Sequence, residues 1–391
     1  LPGGENFEVE LASKGSGTAF ESLASARAVI GMSSRAIKPS EADLLRQQLG
    51  VDMLDAASEH VLALDGLAVI VNSTNPLRDV AFNLETIAQI FSGQIANWSQ
   101  LGGTAAPINV YARDSKSGTF STFDDMVMKP ASLSLAGAAK RFESSDELTD
   151  SVENDPNGIG FIGLPYVRNN RALQIGSTCG IAYGPSRFTI QTEVYPLSRR
   201  LYLYTPGTPR QGLASDLLNF SMSPEAQPII RDAGFIDQTV ELEDVQQRAT
   251  WVASLSETAD ARAPRDMQTQ LLDIAGKVTR ASVNFRFRSG SSELDNKALS
   301  DVRRIARALQ NPSFGGQNWF LVGFADSDGS FRTNLNLAFA RSQAVAKVLA
   351  AQGVQVPNNR IASFSWLAPV ACNSDEQGKA LNRRVELWFT P

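Results

Sequence analysis

The stretch "HVLALDGLAVIVN", His60 to Asn72, is an apolar, β-branched run interrupted only at Asp65-Gly66. A continuous apolar run of this length reads as a strand buried among other elements, not as an exposed edge. Working outward, "LRDVAFNLETIAQIFSG" (Leu77–Gly93) has helical spacing, and "GIGFIGLPYV" (Gly158–Val167) reads as a second buried strand. "YPLSRRLYLYT" (Tyr195–Thr205) is again strand-like. "ASDLLNFSMSPEAQPIIRDAGFI" (Ala214–Ile236) reads as two helices around Ser223-Pro224. Strands alternating with helices predict an α/β architecture with parallel strands up to about residue 245.

The texture then changes. Glu241 to Lys277 is polar, helix-prone and short of strand signals, so residues 246–280 are expected to form a helical connector broken at Pro264. Beyond it, "VTRASVNFRFRSGSSELDNKALSDVRRIARAL" (Val278–Leu309) gives a strand, a turn and a helix. "NWFLVGFAD" (Asn318–Asp326) reads as a strand, and "NLNLAFARSQAVAKVLAAQG" as a helix ending on Gly353. "RIASFSWLAP" and "RRVELWF" supply two further strands, so residues 281–391 are expected to form a separate α+β unit of βαβαββ type.

Composition excludes several function classes. The 391 residues include one histidine, His60, which rules out sites built on several histidines and leaves any Ser-His-Asp triad dependent on that residue. His60 is expected near a helix end. No metal or cofactor is expected: Cys179 and Cys372 form no CxxC, and no phosphate-binding GxxxxGK[ST] loop is present. A net charge of -5 gives no reason to expect nucleic-acid binding, and no apolar run approaches the ~18 residues that span a bilayer. The sequence opens on Leu1, and "LPGGENFEVE" has neither the basic start nor the apolar core of a signal peptide, which reads as a processed or trimmed chain.

Two segments carry chemistry in the first unit. "SKGSGTAFESL" (Ser13–Leu23) and "YARDSKSGTFSTF" (Tyr111–Phe123) each place Ser-Gly-Thr ahead of an amphipathic stretch. Hydroxyls there cap orphan N–H groups, glycine lets the backbone approach a ligand, and the positive helix end favours an anion. Simple N-capping accounts for one such segment. Two copies with Arg113, a forked and permanently charged donor, point to an oxyanion.

These motifs, with "LALDGLAVIVNSTNPL", "IFSGQIANWSQLGG" and "FSMSPEAQPIIRDAGFI", occur in the order found in phosphate-binding proteins of Pst-type ABC transporters, and the chain resembles that family over residues 13 to 240. The resemblance implies a type II periplasmic-binding-protein fold over residues 1–245. One lobe would span about 1–68 and 195–245 and the other about 69–194, with an oxyanion between them. Ser16, Gly17, Thr18, Ser33 and Ser34 would face the cleft from one lobe, and Arg113, Ser117, Gly118 and Thr119 from the other. Asp65 beside them would repel an anion that has no proton to give, so a monohydrogen phosphate is favoured over sulfate. The simple alternative for Asp65 is a turn residue ahead of Gly66. Two departures stand out: the sequence starts after the place where the family's opening strand and Gly-Ser-Thr-like loop would stand, and Ser34 replaces an aspartate found in some members.

The C-terminal unit resembles the OmpA-like peptidoglycan-binding domain. "FADSDGSFRTNLNLAFARSQAV" gives Asp326, Gly329, Asn334, Leu337 and Arg341 in that family's order, and "ALNRRVELWF" gives Asn382, Arg383 and Arg384. The resemblance implies that Asp326 takes the ammonium and Arg341 the carboxylate of a diaminopimelate stem peptide. Asn334 would cap the intervening helix, Leu337 would pack beneath it, and Arg384 would support Asp326 or the ligand. Phe324-Ala325 and Ala338 stand where polar residues are common in the family.

Cys179 and Cys372 fall in different units, and either a disulfide or two buried thiols fits their surroundings. The reading as a whole is a non-enzymatic periplasmic phosphate-binding module held at the cell wall, with an ABC transporter permease as a possible further partner. Its rivals are a wall-anchored structural protein that has lost the ligand, and a phosphatase using Ser117 or Ser16 as nucleophile.

Overall fold

The computed structural model describes residues 9–11, 16–77, 80–209, 211–257, 260, 262–288, 291–311, 314 and 316–390. Ser13 of the first Ser-Gly-Thr segment lies outside them.

In the N-terminal part the strands are β1 (Gly31–Ser33), β2 (Glu59–Val71), β3 (Asn109–Arg113), β4 (Lys140–Phe142), β5 (Gly158–Gly163), β6 (Arg171–Ala172), β7 (Ile175–Gly176), β8 (Ala182–Tyr183) and β9 (Ser198–Tyr204). The helices are α1 (Ser16–Ala24), α2 (Pro39–Leu49), α3 (Leu84–Ser92), α4 (Gly118–Phe123), α5 (Ser145–Glu153), α6 (Arg187–Gln191), α7 (Leu213–Ser221) and α8 (Ala226–Asp232). A seven-stranded sheet runs β1-β9-β2-β5-β3-β4, with β6 added against β2; it is antiparallel except where β3 lies parallel to β4 and β5, so the expected parallel strands are confined to that edge.

β2 organises this sheet. Its first half pairs antiparallel with β9 from Glu59↔Tyr204 to Gly66↔Ser198, and its second half pairs with β5 from Leu67↔Gly163 to Val71↔Ile159. Asp65-Gly66 is therefore not a turn but the point where β2 changes partner. A Cβ on Gly66 would lie 2.3 Å from Cδ1 of Ile190, so a larger residue there would push the Ile190 side chain of α6 aside. Most of β2 is buried, as the apolar run requires. His60 lies on β2 opposite Leu203 and not at a helix end, with Nε2 3.3 Å from the Thr205 hydroxyl. Burial pulls its pKa below the ordinary value.

Two apolar clusters flank the change of partner. On the β5 side, Phe161 stacks on Phe123 at 4.0 Å and meets Phe91 edge-on. On the β9 side, Phe20 of α1 meets Tyr204 edge-on at 5.1 Å, with Leu23, Leu45 and Tyr202 around them.

The C-terminal part contains α9 (Val245–Glu257), α10 (Arg265–Ala275), β10 (Thr279–Arg286), α11 (Asn296–Gln310), β11 (Asn318–Gly323), α12 (Phe331–Ala351), β12 (Ile361–Ser363), α13 (Glu376–Asn382) and β13 (Arg384–Thr390). Its sheet runs β10-β13-β11-β12, antiparallel except where β12 lies parallel to β11. α11 and α12 cover one face through Val302, Ile305, Val345 and Leu349. α12 lies so close that a Cβ on Gly323 would stand 2.1 Å from the Ala338 carbonyl oxygen. The stretch expected to be a mere connector covers the other face. Trp251 and Leu255 of α9 and Leu271 of α10 share a cluster with Phe324, Phe364 and Trp388. Of the expected strand at 360–369, only Ile361–Ser363 is strand, and α13 stands between the last two strands.

The two parts are docked. Cys179 and Cys372 form a disulfide across a sequence separation of 193. Arg200 bridges Glu193 and Asp295, Arg286 donates to the Thr192 carbonyl at 3.0 Å, and Asn296 donates to Leu54 O and Glu59 Oε1. Burial would raise the Glu193 carboxyl, but Arg200, Lys297 and Arg286 outweigh it and hold the group far below the usual carboxylate range. A cavity of about 520 Å³ lies between the β7–β8 hairpin, residues 193–200 and the 370–378 loop. Among the described residues, no helix is long and apolar enough to cross a membrane.

Candidate functional site

The first Ser-Gly-Thr segment opens α1 at Ser16, and the second caps α4. Ser16 Oγ accepts from Ser34 N at 3.1 Å and lies 3.3 Å from Ser34 Oγ, so these two predicted residues sit together. Thr18 lies in the first turn of the same helix. Ser33 points elsewhere: its buried hydroxyl donates to Arg35 O at 2.7 Å and shapes the turn after β1. At the second segment, Ser117 Oγ accepts from Thr119 N at 3.2 Å as the N-cap. A Cβ on Gly17 or Gly118 would meet no atom within 4 Å, so the ground over both helix starts is open.

The charged groups are arranged differently from expectation. Asp65 Oδ2 accepts from Arg199 Nε at 3.0 Å and Nη2 at 2.7 Å, while Oδ1 accepts from Gly66 N at 2.8 Å. Arg199 also donates through Nη1 to Thr122 Oγ1. Asp65 is thus a paired carboxylate, not a lone acceptor. Arg113 turns its guanidinium onto the 142–145 segment, donating to Phe142 O, Glu143 O and Ser145 Oγ.

In the C-terminal part, Asp326 pairs with Arg383 at 2.9 Å and accepts from Asp328 N at 3.1 Å. Arg341 stacks over the Phe287 ring at 5.5 Å. Burial first, then repulsion from Arg383, lowers its pKa, and Asp326 acts the other way. Three expected roles need correction. The cap of α12 is Ser330, which accepts from Thr333 N; Asn334 is instead buried and donates to Asp328 O at 2.6 Å, bracing the loop after Asp326. Leu337 does not pack beneath the helix but is 48% exposed, on the face turned to solvent. Arg384 is fully buried, pairs with Glu386 at 2.7 Å, donates to Ala368 O and lies over Phe324; it belongs to the core. Its neighbour Arg383, the residue between α13 and β13, is the arginine that reaches Asp326.

Sequence reasoning missed Arg199 and Arg383. "SRR" and "NRR" both advertise paired arginines, and all four meet carboxylates, but which carboxylate each one meets depends on the tertiary fold. The motif residue Asn382, given no role from the sequence, accepts from Val370 N and Ala371 N and donates to Asn373, pinning the loop beside Cys372.

A sheet in which one long strand passes from one partner to another, with helix starts open on either side, defines a solute-binding-protein fold. The chain belongs to the PBP superfamily: residues 3–225 match its domain, and residues 286–383 match the OmpA family. It is 27% identical over 241 residues to the phosphate-binding protein PstS of Borreliella burgdorferi, covering 59% of this chain and 80% of that one. Against the phosphate-binding protein PstS of Bacillus subtilis it is 27% identical over 233 residues, covering 59% and 72%. Among solved structures, an ABC-type phosphate transport receptor from Vibrio cholerae superposes with a TM-score of 0.47 at 27% identity, covering 57% of this chain and 85% of that one. The peptidoglycan-associated lipoprotein from Burkholderia pseudomallei gives a TM-score of 0.24 at 26% identity, covering 27% and 89%. The expected fold class therefore stands, a PstS-like α/β unit followed by an OmpA-like unit.

Proposed function

We propose that this chain captures inorganic phosphate between two lobes of its PBP unit and is held to peptidoglycan by its OmpA-like unit. The observation that carries the first half is the pair of hydroxyl-rich helix starts, Ser16 with Ser34 and Ser117 with Thr119, each open above its glycine. The relatives named for phosphate binding support the same ligand. For the second half, Asp326 and Arg341 supply opposite charges near one another, suited to the zwitterionic end of a diaminopimelate stem peptide.

In this reading the protein works in the periplasm, makes and breaks no bond, and closes its lobes about the β2 and β9 crossing. A permease of the ABC type would be the recipient of the phosphate. The test is calorimetric titration of phosphate and sulfate into the full chain, unfolded and refolded beforehand to strip bound anion. The reading predicts phosphate binding at one site per chain.

One observation favours the rival, a wall-anchored protein without a ligand: Asp65 and Arg113 are both already engaged by protein groups. No heat and no shift in melting temperature with either anion would select it.

A further inference from the structure

The OmpA-like unit is attached to both halves of the PBP unit. One attachment is to the β9 half. Asn296 of α11 donates to Leu54 O and to Glu59 Oε1, and Glu59 opens β2 opposite Tyr204. Arg304 of the same helix donates to Gln238 Oε1 at 2.6 Å, and Gln238 in turn donates to Val61 O and Leu62 O. The other attachment is to the β5 half. Cys372 is bonded to Cys179 in the β7–β8 hairpin, and Ile175 of β7 lies in the core that holds Phe91 and Phe161. Both attachments adjoin the residues that frame Asp326 and Arg341. Arg341 lies over Phe287, and the next residue, Arg288, reaches Leu54 O at 3.5 Å. Asn373, next to Cys372, accepts at 3.2 Å from the backbone N–H of Ser327, the residue after Asp326. The 370–378 loop fronts the cavity of about 520 Å³, so on that side no packed side chain holds it against residues 193–200. A displacement of the hairpin therefore passes through the disulfide to Cys372, and through Asn373 to the backbone beside Asp326.

We propose that the OmpA-like unit is a strap across the two lobes, through which cell-wall peptide and phosphate oppose one another; this rests on the function proposed above. Lobe closure swings the hairpin relative to the β9 half, while α11 stays with that half. The disulfide obliges the 370–378 loop to follow the hairpin, and the frame of Asp326 shifts with it. At the lobe angle of this structure, Asp65 and Arg113 are taken up by protein groups, whereas Asp326 and Arg341 are framed as described. Wall peptide at Asp326 and Arg341 stabilises this angle, and phosphate stabilises the closed one. A ligand shifts such an equilibrium by its differential affinity for the two states, so each weakens the other by the same factor. The opposition is partial, and at saturating concentrations both are bound together.

The test is calorimetry on the full, anion-stripped chain. Phosphate is titrated with and without a saturating soluble stem tripeptide ending in diaminopimelate, and the peptide is titrated with and without phosphate. In the parent each should weaken the other by at least about 5-fold, with the same factor in both directions. In Cys179→Ser/Cys372→Ser the factor should fall below about twofold while both ligands still bind. Asn373→Ala keeps the disulfide but cuts the link to Ser327; it should also lower the factor, and it decides the matter if the double variant does not fold. Independent binding in the parent, mutual strengthening, or the parental factor in the double variant would overturn the proposal alone. Absence of phosphate or peptide binding in the parent would overturn it together with that half of the proposed function.

Discussion

Replacing both Cys179 and Cys372 by serine removes the bond that joins the two parts across 193 residues of sequence. The chain-entropy relation puts the ceiling for a loop of this length at about 5 kcal/mol, and native disulfides more commonly give about 2–4 kcal/mol. Unfolding of a chain this size has an entropy of about 0.8 kcal/mol/K, so if the molecule melts as one unit the loss is about 3–6 °C. Scanning calorimetry of the double-serine variant, and of the parent with and without a thiol reductant, measures it. The docking contacts of Arg200, Arg286 and Asn296 remain, so the two parts should stay associated after the bond is gone. Melting within about 1 °C of the parent would refute this reasoning, since the relation allows no such small value for so long a loop without compensating strain. Two titratable thiols in the denatured, unreduced parent would refute its premise.

The adjacent arginines where α13 meets the last strand should separate cleanly. Arg383→Ala should weaken peptidoglycan binding in a sacculus pull-down while leaving the melting temperature near that of the parent, because Asp326 loses the arginine that holds its carboxylate in place. Arg384→Ala should cost about 3–5 kcal/mol in denaturant unfolding, because Glu386 is left buried without its partner. Phe161→Ala removes the ring stacked on Phe123 and should cost about 3–5 kcal/mol by the same measurement. Acid should expose Asp237: burial raises its carboxyl, but Arg231, Thr239 and Arg187 outweigh that and hold it far below the usual range. A depressed carboxylate stabilises the fold above its unfolded pKa of about 3.9, and the contribution drains away as pH falls further. Asp237→Asn should therefore be less stable than the parent at neutral pH, with the gap narrowing below about pH 4 in pH-resolved melting curves.

Much of this architecture could be read from the residues, for reasons that also mark where reading failed. β2 was legible because a strand buried on both faces needs a continuous apolar run, and His60–Asn72 supplies one. The starts of α1 and α4 were legible because orphan N–H groups call for hydroxyls within a residue or two. The Asp65–Arg199 pair was not, since it joins residues 134 apart and depends on register between β2 and β9. Arg383 caps the end of α13 and Arg384 begins β13, a difference that composition does not record. α9 and α10 looked like a polar connector because only a narrow stripe, Trp251, Leu255 and Leu271, carries their contact with the sheet. Leu337 failed for the opposite reason: an apolar residue at helical spacing can still face solvent.

In the proposed function one chain holds phosphate and cell wall together. Co-sedimentation of the full, anion-stripped chain with purified sacculi and radiolabelled phosphate tests it, with labelled sulfate as the control. We expect label in the pellet at one phosphate per sedimented chain, lost with the protein in Asp326→Ala, and no sulfate. Protein that pellets without label, or label retained by protein that stays in the supernatant, would contradict it.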